Sequence, residues 1–420
     1  DLSLKITFSK PKPFPYGPFV GADSPVIQKA QFEDCIGAKA PECTEQNFGP
    51  IGTGPFRVTE FKANDVISMA ANPHYRDPNK PNFATLTFKG GGDATAAARS
   101  VLETGEFDYA WNLQIDPAIL RQMAGAGKGQ IVSAFGTSVE RLHVNLSNPD
   151  PSLGDQRSTL EGGPHPFLRD AAVRRALSLA IDRNLLSEIG YGAAGKATCN
   201  VLPAPALYAS TANDACLVQD SARANAILDE AGWTRGADGI RAKDGVRLSI
   251  LYQTSTNPVR QDTQALIKQW WSEIGVETEL KNIDAAVFFG GDQSSPDTIQ
   301  KFYADIEMYT NYAAGTDPEA YMGNWVCAEI PTPEKNWLGS NMPRYCNPEY
   351  DALAAELAVT AALEDRARIV KAMNDMLMQE GAMIPLIHRG RVSAHSNSLA
   401  GVKLNTWDSE LWNIADWYRN

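Results

Sequence analysis

The side chains able to do chemistry in this chain are carboxylates, aromatics and a few histidines. Asp305 with Glu307, and Asp351 with Glu356, are spaced so that either pair could act as general acid and base in one cleft. Strand ends and helix surfaces account for the same four residues at less cost. No G-x-S-x-G elbow, no H-E-x-x-H, no P-loop and no G-x-G-x-x-G in strand-to-helix context occurs. Gly90-Gly91-Gly92-Asp93 opens a helix and could cradle a phosphate, although a simple turn explains it more economically. The five histidines are scattered and no C-x-x-C is present, so zinc finds no ligand set.

Binding is left as the chemistry. Nine tryptophans and thirteen tyrosines are many, and Trp111, Tyr309, Tyr312, Trp325, Trp407 and Trp412 fall at expected strand ends or loops. Such aromatics offer a wide apolar face and a polar tip to a partly polar ligand, with core packing as the competing role for each. Trp270 and Trp271 belong to the core and surface of a helix.

The elements that must position these residues read as follows. Gly49-Pro50-Ile51-Gly52-Thr53-Gly54-Pro55 packs three glycines and two prolines into a tight turn. Alternation from Phe56 predicts a hairpin with Lys62-Ala63-Asn64-Asp65 as its loop, then Asn72-Pro73-His74-Tyr75 and a strand over Thr85-Lys89. Asp93 caps a helix, Asp108-Leu113 is a short strand, Pro117 starts a helix, and Glu140-Leu146 is a strand. Helices are expected over 168–189, 221–231, 259–274, 348–360 and 364–381. Strands are expected over 246–253, 276–280, 305–309 and 383–389. This alternation indicates an α/β chain with mixed or parallel sheet.

With 420 residues and 43% apolar content, more than one core can form, so two lobes are expected. A net charge of −12 argues against nucleic acid. No apolar run reaches the ~18 residues of a membrane span. Asp1-Leu2-Ser3-Leu4-Lys5-Ile6-Thr7-Phe8 alternates like a strand from the first residue, so no signal peptide is visible.

The series GTGPF at 52–56, a hairpin, N-P-x-Y, a strand, a helix from Asp93 and then Phe167-Leu168-Arg169-Asp170 through Asp182-Arg183 resembles one family. It is that of the extracytoplasmic solute-binding proteins of ABC transporters, the dipeptide-, oligopeptide- and nickel-binding family 5. The resemblance implies a two-lobed periplasmic-binding-protein-like α/β fold of the cluster C type, with mixed sheets flanked by helices and a cleft between lobes. Residues 1–141 with 392–420 would form lobe I, and 142–391 lobe II. It implies an exported, periplasmic protein without enzymatic activity or cofactor, a monomer that captures a peptide or peptide-like solute and docks on an inner-membrane permease. A secreted hydrolase acting on peptides or glycans is the alternative. Family members carry a long segment before the GTGPF turn, whereas about fifty residues precede it here. The expectation is therefore a lobe I missing its N-terminal portion, or associated with it as a separate fragment.

Six cysteines in an exported chain suggest disulfides, and several connectivities are open. Local pairing, Cys35–Cys43, Cys199–Cys216 and Cys327–Cys346, is the simplest, and relatives carry a bridge at the third. Peptide-binding relatives also place an aspartate after a strand-end aromatic pair to hold the ligand ammonium. Here Asn311 falls near that position, within Tyr309-Thr310-Asn311-Tyr312, and Asp317 follows as either a folded-back anchor or the cap of a helix. Across the cleft, His388 and Arg389 match ligand-facing positions, and Arg389 could pair with a carboxylate or form a structural ion pair. The expected grip is Trp111, Asn112, Tyr309–Tyr312, Asp317, His388 and Arg389, on an amphiphilic solute that is peptide-like or an opine-like conjugate.

Overall fold

The computed structural model describes residues 3–19 and 25–420. Ser3–Phe8, expected as part of a strand, joins no sheet, and Asp1 and Leu2 lie outside the described residues. An alternating pattern needs a neighbouring strand to complete its backbone hydrogen bonds, and no sheet among the described residues takes this segment in. Residues 31–48, which the sequence reads as a cysteine-bounded surface loop, fall largely in short helical turns.

The hairpin forms as expected. Strands β1 (Phe56–Lys62) and β2 (Val66–Ala71) pair antiparallel around Asn64, whose φ of 59° suits a tight turn, and β3 (Thr85–Lys89) pairs with β2. Gly91 with φ of 71° turns the chain after β3, and Asp93 then accepts from the Ala96 amide to cap α1 (Ala94–Leu102). The glycine run is thus a turn leading into a capped helix. Strand β4 (Tyr109–Ala110) and α2 (Pro117–Ala124) follow, with Asp116 capping the latter.

The organising pair is β5 (Gly129–Val144) with β13 (Met383–Ser396), antiparallel from Met383 opposite His143 to Ser396 opposite Gly129. Both are far longer than expected from the sequence. Glycine, serine and threonine at 129–138 weaken the alternation that marks a strand, so only the apolar end of β5 was legible. Between them come α3 (Ala171–Leu179), α4 (Arg183–Gly190), β6 (Gly195–Ala197) and α5 (Ser221–Glu230). A small ribbon of β7 (Thr234–Arg235), β8 (Arg241–Lys243) and β9 (Val246–Arg247) precedes β10 (Ser249–Ser255). Then follow α6 (Pro258–Glu273), β11 (Glu277–Ile283), β12 (Ile306–Asn311), α7 (Pro348–Leu357) and α8 (Leu363–Gln379). The main sheet runs β11-β10-β12-β5-β13-β4, parallel among β11, β10 and β12 and antiparallel elsewhere, with β6 beside β13.

One expected helix, 168–189, is two. Asp182 accepts from the Leu185 amide to start α4, and Arg183 turns inward, fully buried, to donate to the carbonyls of Ser178, Cys216 and Pro385. A local cap and a buried guanidinium outcompete helix continuation. Arg174 is likewise buried rather than surface-facing, donating to the Glu380 carbonyl at 2.7 Å.

The sheet separates cores by strand alternation. On one face Leu142, Val144, Ile306 and Met308 join Val173, Leu177 and Trp271. On the other, Tyr309 joins Phe288 and Phe302, while Met383 joins Tyr321 and Trp325. At the far end of the same two long strands, Ala394 joins a different core with Val101, Leu102 and Leu113. Trp270 and Trp271 are both buried, and Trp325 is buried under Arg141 rather than lining a cleft. The three bonded cysteine pairs are Cys35–Cys43, Cys199–Cys216 and Cys327–Cys346.

Candidate functional site

Where β5 and β13 pass between these cores, a charged cluster is buried. Glu140 accepts from Arg260 Nε at 3.0 Å, Thr310 Oγ1 at 2.6 Å, Tyr191 OH at 3.2 Å and Gln114 Nε2 at 3.2 Å. Arg389 Nη1 lies 3.6 Å from the same carboxylate and donates to Thr310 Oγ1, while its Nη2 donates to Asn112 Oδ1 at 2.5 Å. Burial alone would raise the Glu140 carboxyl, but Arg260 and Arg389 outweigh it and hold it below the ordinary range. Two guanidiniums face the Glu140 carboxylate, and buried Glu410 also acts on Arg389 from further off.

Backbone irregularity sets this up. β13 shifts register between Pro385 and Ile387 and again between His388 and Gly390, bulges that re-aim side chains within one strand. Pro385 lacks an N–H and fits a sheet interior only at such a place. Asn112 has φ of 54°, so the chain reverses its facing there: Leu113 is buried in the core of α1 and α2, while Trp111 is 66% exposed.

Beside the cluster stands an aromatic wall. Tyr309 stacks on His143 with centroids 4.1 Å apart, and Phe288 and Phe289 meet it edge-on at 6.4 and 6.1 Å. The Arg260 guanidinium lies 5.8 Å from the Phe289 ring centre. Beneath, Glu307 is fully buried with Oε2 bonded to Gln253 at 3.1 Å, and burial pushes its carboxyl up to about 8.

Of the residues expected to grip a ligand, the structure brings Asn112, Thr310 and Arg389 into direct contact, with Trp111 adjoining them in sequence. Tyr309 is buried in the wall. Asn311 uses its Oδ1 on the Tyr312 amide at 2.8 Å, and the Tyr312 ring lies 5.0 Å from the Arg391 guanidinium. His388 sits apart from Arg389, its Nε2 bonded to the Gly136 carbonyl at 2.7 Å; burial lowers its affinity for a proton. Asp317 is paired with the buried Arg366 at 2.7 Å and accepts from the Glu319 amide, so it stands away from the cluster as a structural anion. Trp407 is half-buried, and Trp412, half exposed, donates to the Lys403 carbonyl.

Glu140, Arg260, Gln114, Tyr191 and Phe289 were not legible as site residues. A signal existed for one of them: Glu140, with Arg141, puts charge between Val139 and Leu142, and charges on a buried strand demand partners.

The carboxylate pairs do not assemble. Asp305 bonds His165 at 2.7 Å and the Leu251 amide, while Glu307 points into the interior. Asp351 accepts from the Cys327 amide, and Glu356 pairs with Arg368 on the surface. Among the described residues no group of three metal-ligating side chains comes together, and no helix is long and apolar enough to cross a membrane.

Residues 1–330 match the family model of the bacterial extracellular solute-binding proteins, family 5. The chain belongs to that family. The glutathione-binding protein GsiB of Escherichia coli O1:K1 is 23% identical over 362 residues, covering 85% of this chain and 62% of its own length. The chain thus spans less than two thirds of the curated relatives it matches. Solved structures of similar proteins share the fold. The oligopeptide-binding protein AppA of Bacillus subtilis, solved with a nonapeptide, superposes with a TM-score of 0.76 at 20% identity, covering 94% of this chain and 72% of that one. A dipeptide-binding protein of Pseudoalteromonas sp. SM9913, solved with Met-Leu, gives 0.77 at 18%, covering 98% and 73%. NikZ of Campylobacter jejuni, solved with Ni(L-His), gives 0.73 at 21%, covering 89% and 70%.

Proposed function

We propose that this family 5 protein is the solute-capturing component of an ABC importer, working outside the cytoplasm and delivering a peptide or peptide-like solute to a membrane permease. The observation that carries this reading is the course of β5 and β13, which run side by side from one core to the other through the Glu140 cluster. Residues 1–141 with 392–420 form lobe I on this reading, and 142–391 lobe II. On the same reading the strands cross between the lobes near Arg141–Asn145 and His388–Arg391.

A solute that touches both lobes binds the closed arrangement better, and that differential affinity alone draws the lobes together. Trp111, Asn112, Thr310, Asn311 and Arg389 are the solute-facing set, with Tyr309 and Tyr312 behind them. Arg389 favours a solute carried by its carboxylate. Glutathione, a nonapeptide, Met-Leu and Ni(L-His) are bound by similar proteins, and all but one of these are purely peptidic. Asp317 is committed to Arg366, so on this reading it is not the group that holds a solute ammonium.

Mass spectrometry of small molecules released on unfolding the purified protein tests this. A peptide-like species at close to one per chain, returned chemically unchanged after rebinding, is expected. Cleavage of added peptides would support the hydrolase alternative and contradict the reading.

A further inference from the structure

The stretch ahead of β1 is fastened at two ends, which fall on opposite sides of the lobe division given above. At one end Phe48 stacks on Phe61 of β1 with ring centres 4.2 Å apart. Gln31 there donates to the Gly49 carbonyl at 2.9 Å and accepts from the Ile51 amide at 2.8 Å. The β1–β3 sheet is in turn held to lobe I, because Asn82 donates to the Trp417 carbonyl at 3.1 Å and the Trp417 ring meets Tyr109 at 5.1 Å.

At its other end the same stretch touches residues of lobe II. Lys12 pairs with Glu319, both side chains only partly exposed, and the Phe14 ring centre lies 4.4 Å from the Arg366 guanidinium. Arg366 is fully buried and holds Asp317, so the ring covers a charge fixed from behind. A second point of contact is Asn336, which donates to the Ala38 carbonyl at 3.2 Å and to Glu42 at 3.5 Å. Ala38 and Glu42 lie inside the loop closed by Cys35–Cys43, and Asn336, with φ of 50°, lies inside the loop closed by Cys327–Cys346. Two disulfide-closed loops therefore meet at one asparagine. Each cross-link limits the freedom of its loop, so less entropy is lost when the two touch.

We propose that residues 12–43 form a clasp that ties lobe I to lobe II apart from β5 and β13 and restrains their separation. The clasp rests on the two-lobe reading above and adds a restraint to it. β5 and β13 are continuous backbone about which the lobes turn, whereas the clasp is made of side-chain contacts that open. Lys12 and Phe14 hold one point and the paired loops hold another, so the lobes part only when these contacts break. The clasp thereby sets the population of separated lobes before any solute arrives.

The test is a distance measurement by pulsed electron double resonance on the full chain freed of solute. Glu106→Cys and Glu230→Cys place one exposed spin-label site on each lobe, and the six native cysteines are bonded and take no label. Lys12→Ala with Phe14→Ala is expected to raise the population at long separations about tenfold over the labelled parent. Lys12→Ala alone, at a partly exposed position, is expected to raise it about twofold. Cys35→Ser with Cys43→Ser is expected to raise it as well, by freeing the loop that meets Asn336. Unchanged circular dichroism establishes that each variant is folded. A distribution that none of these variants alters would overturn the clasp. Adding the solute released from the protein on unfolding tests the two-lobe reading in the same samples. Distances that shorten with that solute but ignore every variant would overturn the clasp alone, and distances that answer to neither would overturn both.

Discussion

Arg389 lies 3.6 Å from Glu140 but gives its hydrogen bonds to Asn112 and Thr310, so one side chain of β13 ties the segment after β4 to the end of β12. Glu140 is the common acceptor of this arrangement, and both side chains are buried. Removing one partner from a buried ion pair strands the other. Glu140→Ala is expected to destabilise the protein by about 3–5 kcal/mol, and Glu140→Gln by less, because the amide still accepts from Thr310 and Tyr191. Urea unfolding measures both; a loss in Glu140→Ala smaller than about 1 kcal/mol would show that the cluster is not what holds the crossing.

Arg389→Ala leaves Asn112 Oδ1 without its donor and removes one of the cluster's two guanidiniums. With the solute that co-purifies, calorimetry is expected to show affinity falling more than about tenfold. Asn311→Ala is expected to cost only a few-fold, since its Oδ1 already serves the Tyr312 amide. Unchanged affinity in both variants would place the pocket elsewhere.

Glu307 makes stability depend on pH in a stated direction. Its proton is held more tightly in the folded chain, about 8 against an ordinary 4.5, because burial penalises the charge. Its favourable contribution is complete below the unfolded value and is lost as pH rises towards the folded one. Glu307→Gln mimics the protonated form, so its stability advantage over wild type should widen between about pH 5 and 8 and then level off. Buried His143, whose proton affinity is lowered first by burial and then by Arg141, acts with the opposite sign and is present in both proteins. Urea midpoints across this range decide; a constant gap would mean that Glu307 is ionised throughout.

The bonded pairs Cys199–Cys216 and Cys327–Cys346 close loops with separations of 17 and 19 residues. On the loop-entropy model each contributes about 3 kcal/mol. Unfolded, unreduced protein should take up no thiol reagent, and Cys327→Ser with Cys346→Ser should lower the urea midpoint accordingly. Full labelling without reductant would contradict the pairing.

Elements with strong local signals were legible from sequence: the β1–β2 hairpin through Asn64, the capped helices from Asp93 and Pro117, and α6 with its buried Trp271. The ends of β5 and β13 that reach the core of α1 and α2 were not, because small and polar residues carry no hydrophobic period. The break between α3 and α4 was hidden because Arg183 looks like a surface residue until its carbonyl partners arrive from Cys216 and Pro385. In the candidate site, Asn112 and Arg389 were found as residues, but their mutual bond joins positions 277 residues apart. Glu140, which organises them, carries its meaning only through tertiary contact. Asp317, open from sequence as either a folded-back anchor or a helix cap, accepts from the Glu319 amide and pairs with Arg366, a partner only the fold supplies.

The central claim is that a peptide-like solute is held between two lobes that close around it. Small-angle X-ray scattering of the full chain, with and without the solute released from it, tests this most directly. A reproducible decrease in radius of gyration at saturating solute, abolished in Arg389→Ala, is the result expected. Stoichiometric binding with an unchanged scattering profile would contradict closure and the account of β5 and β13 as the crossing strands.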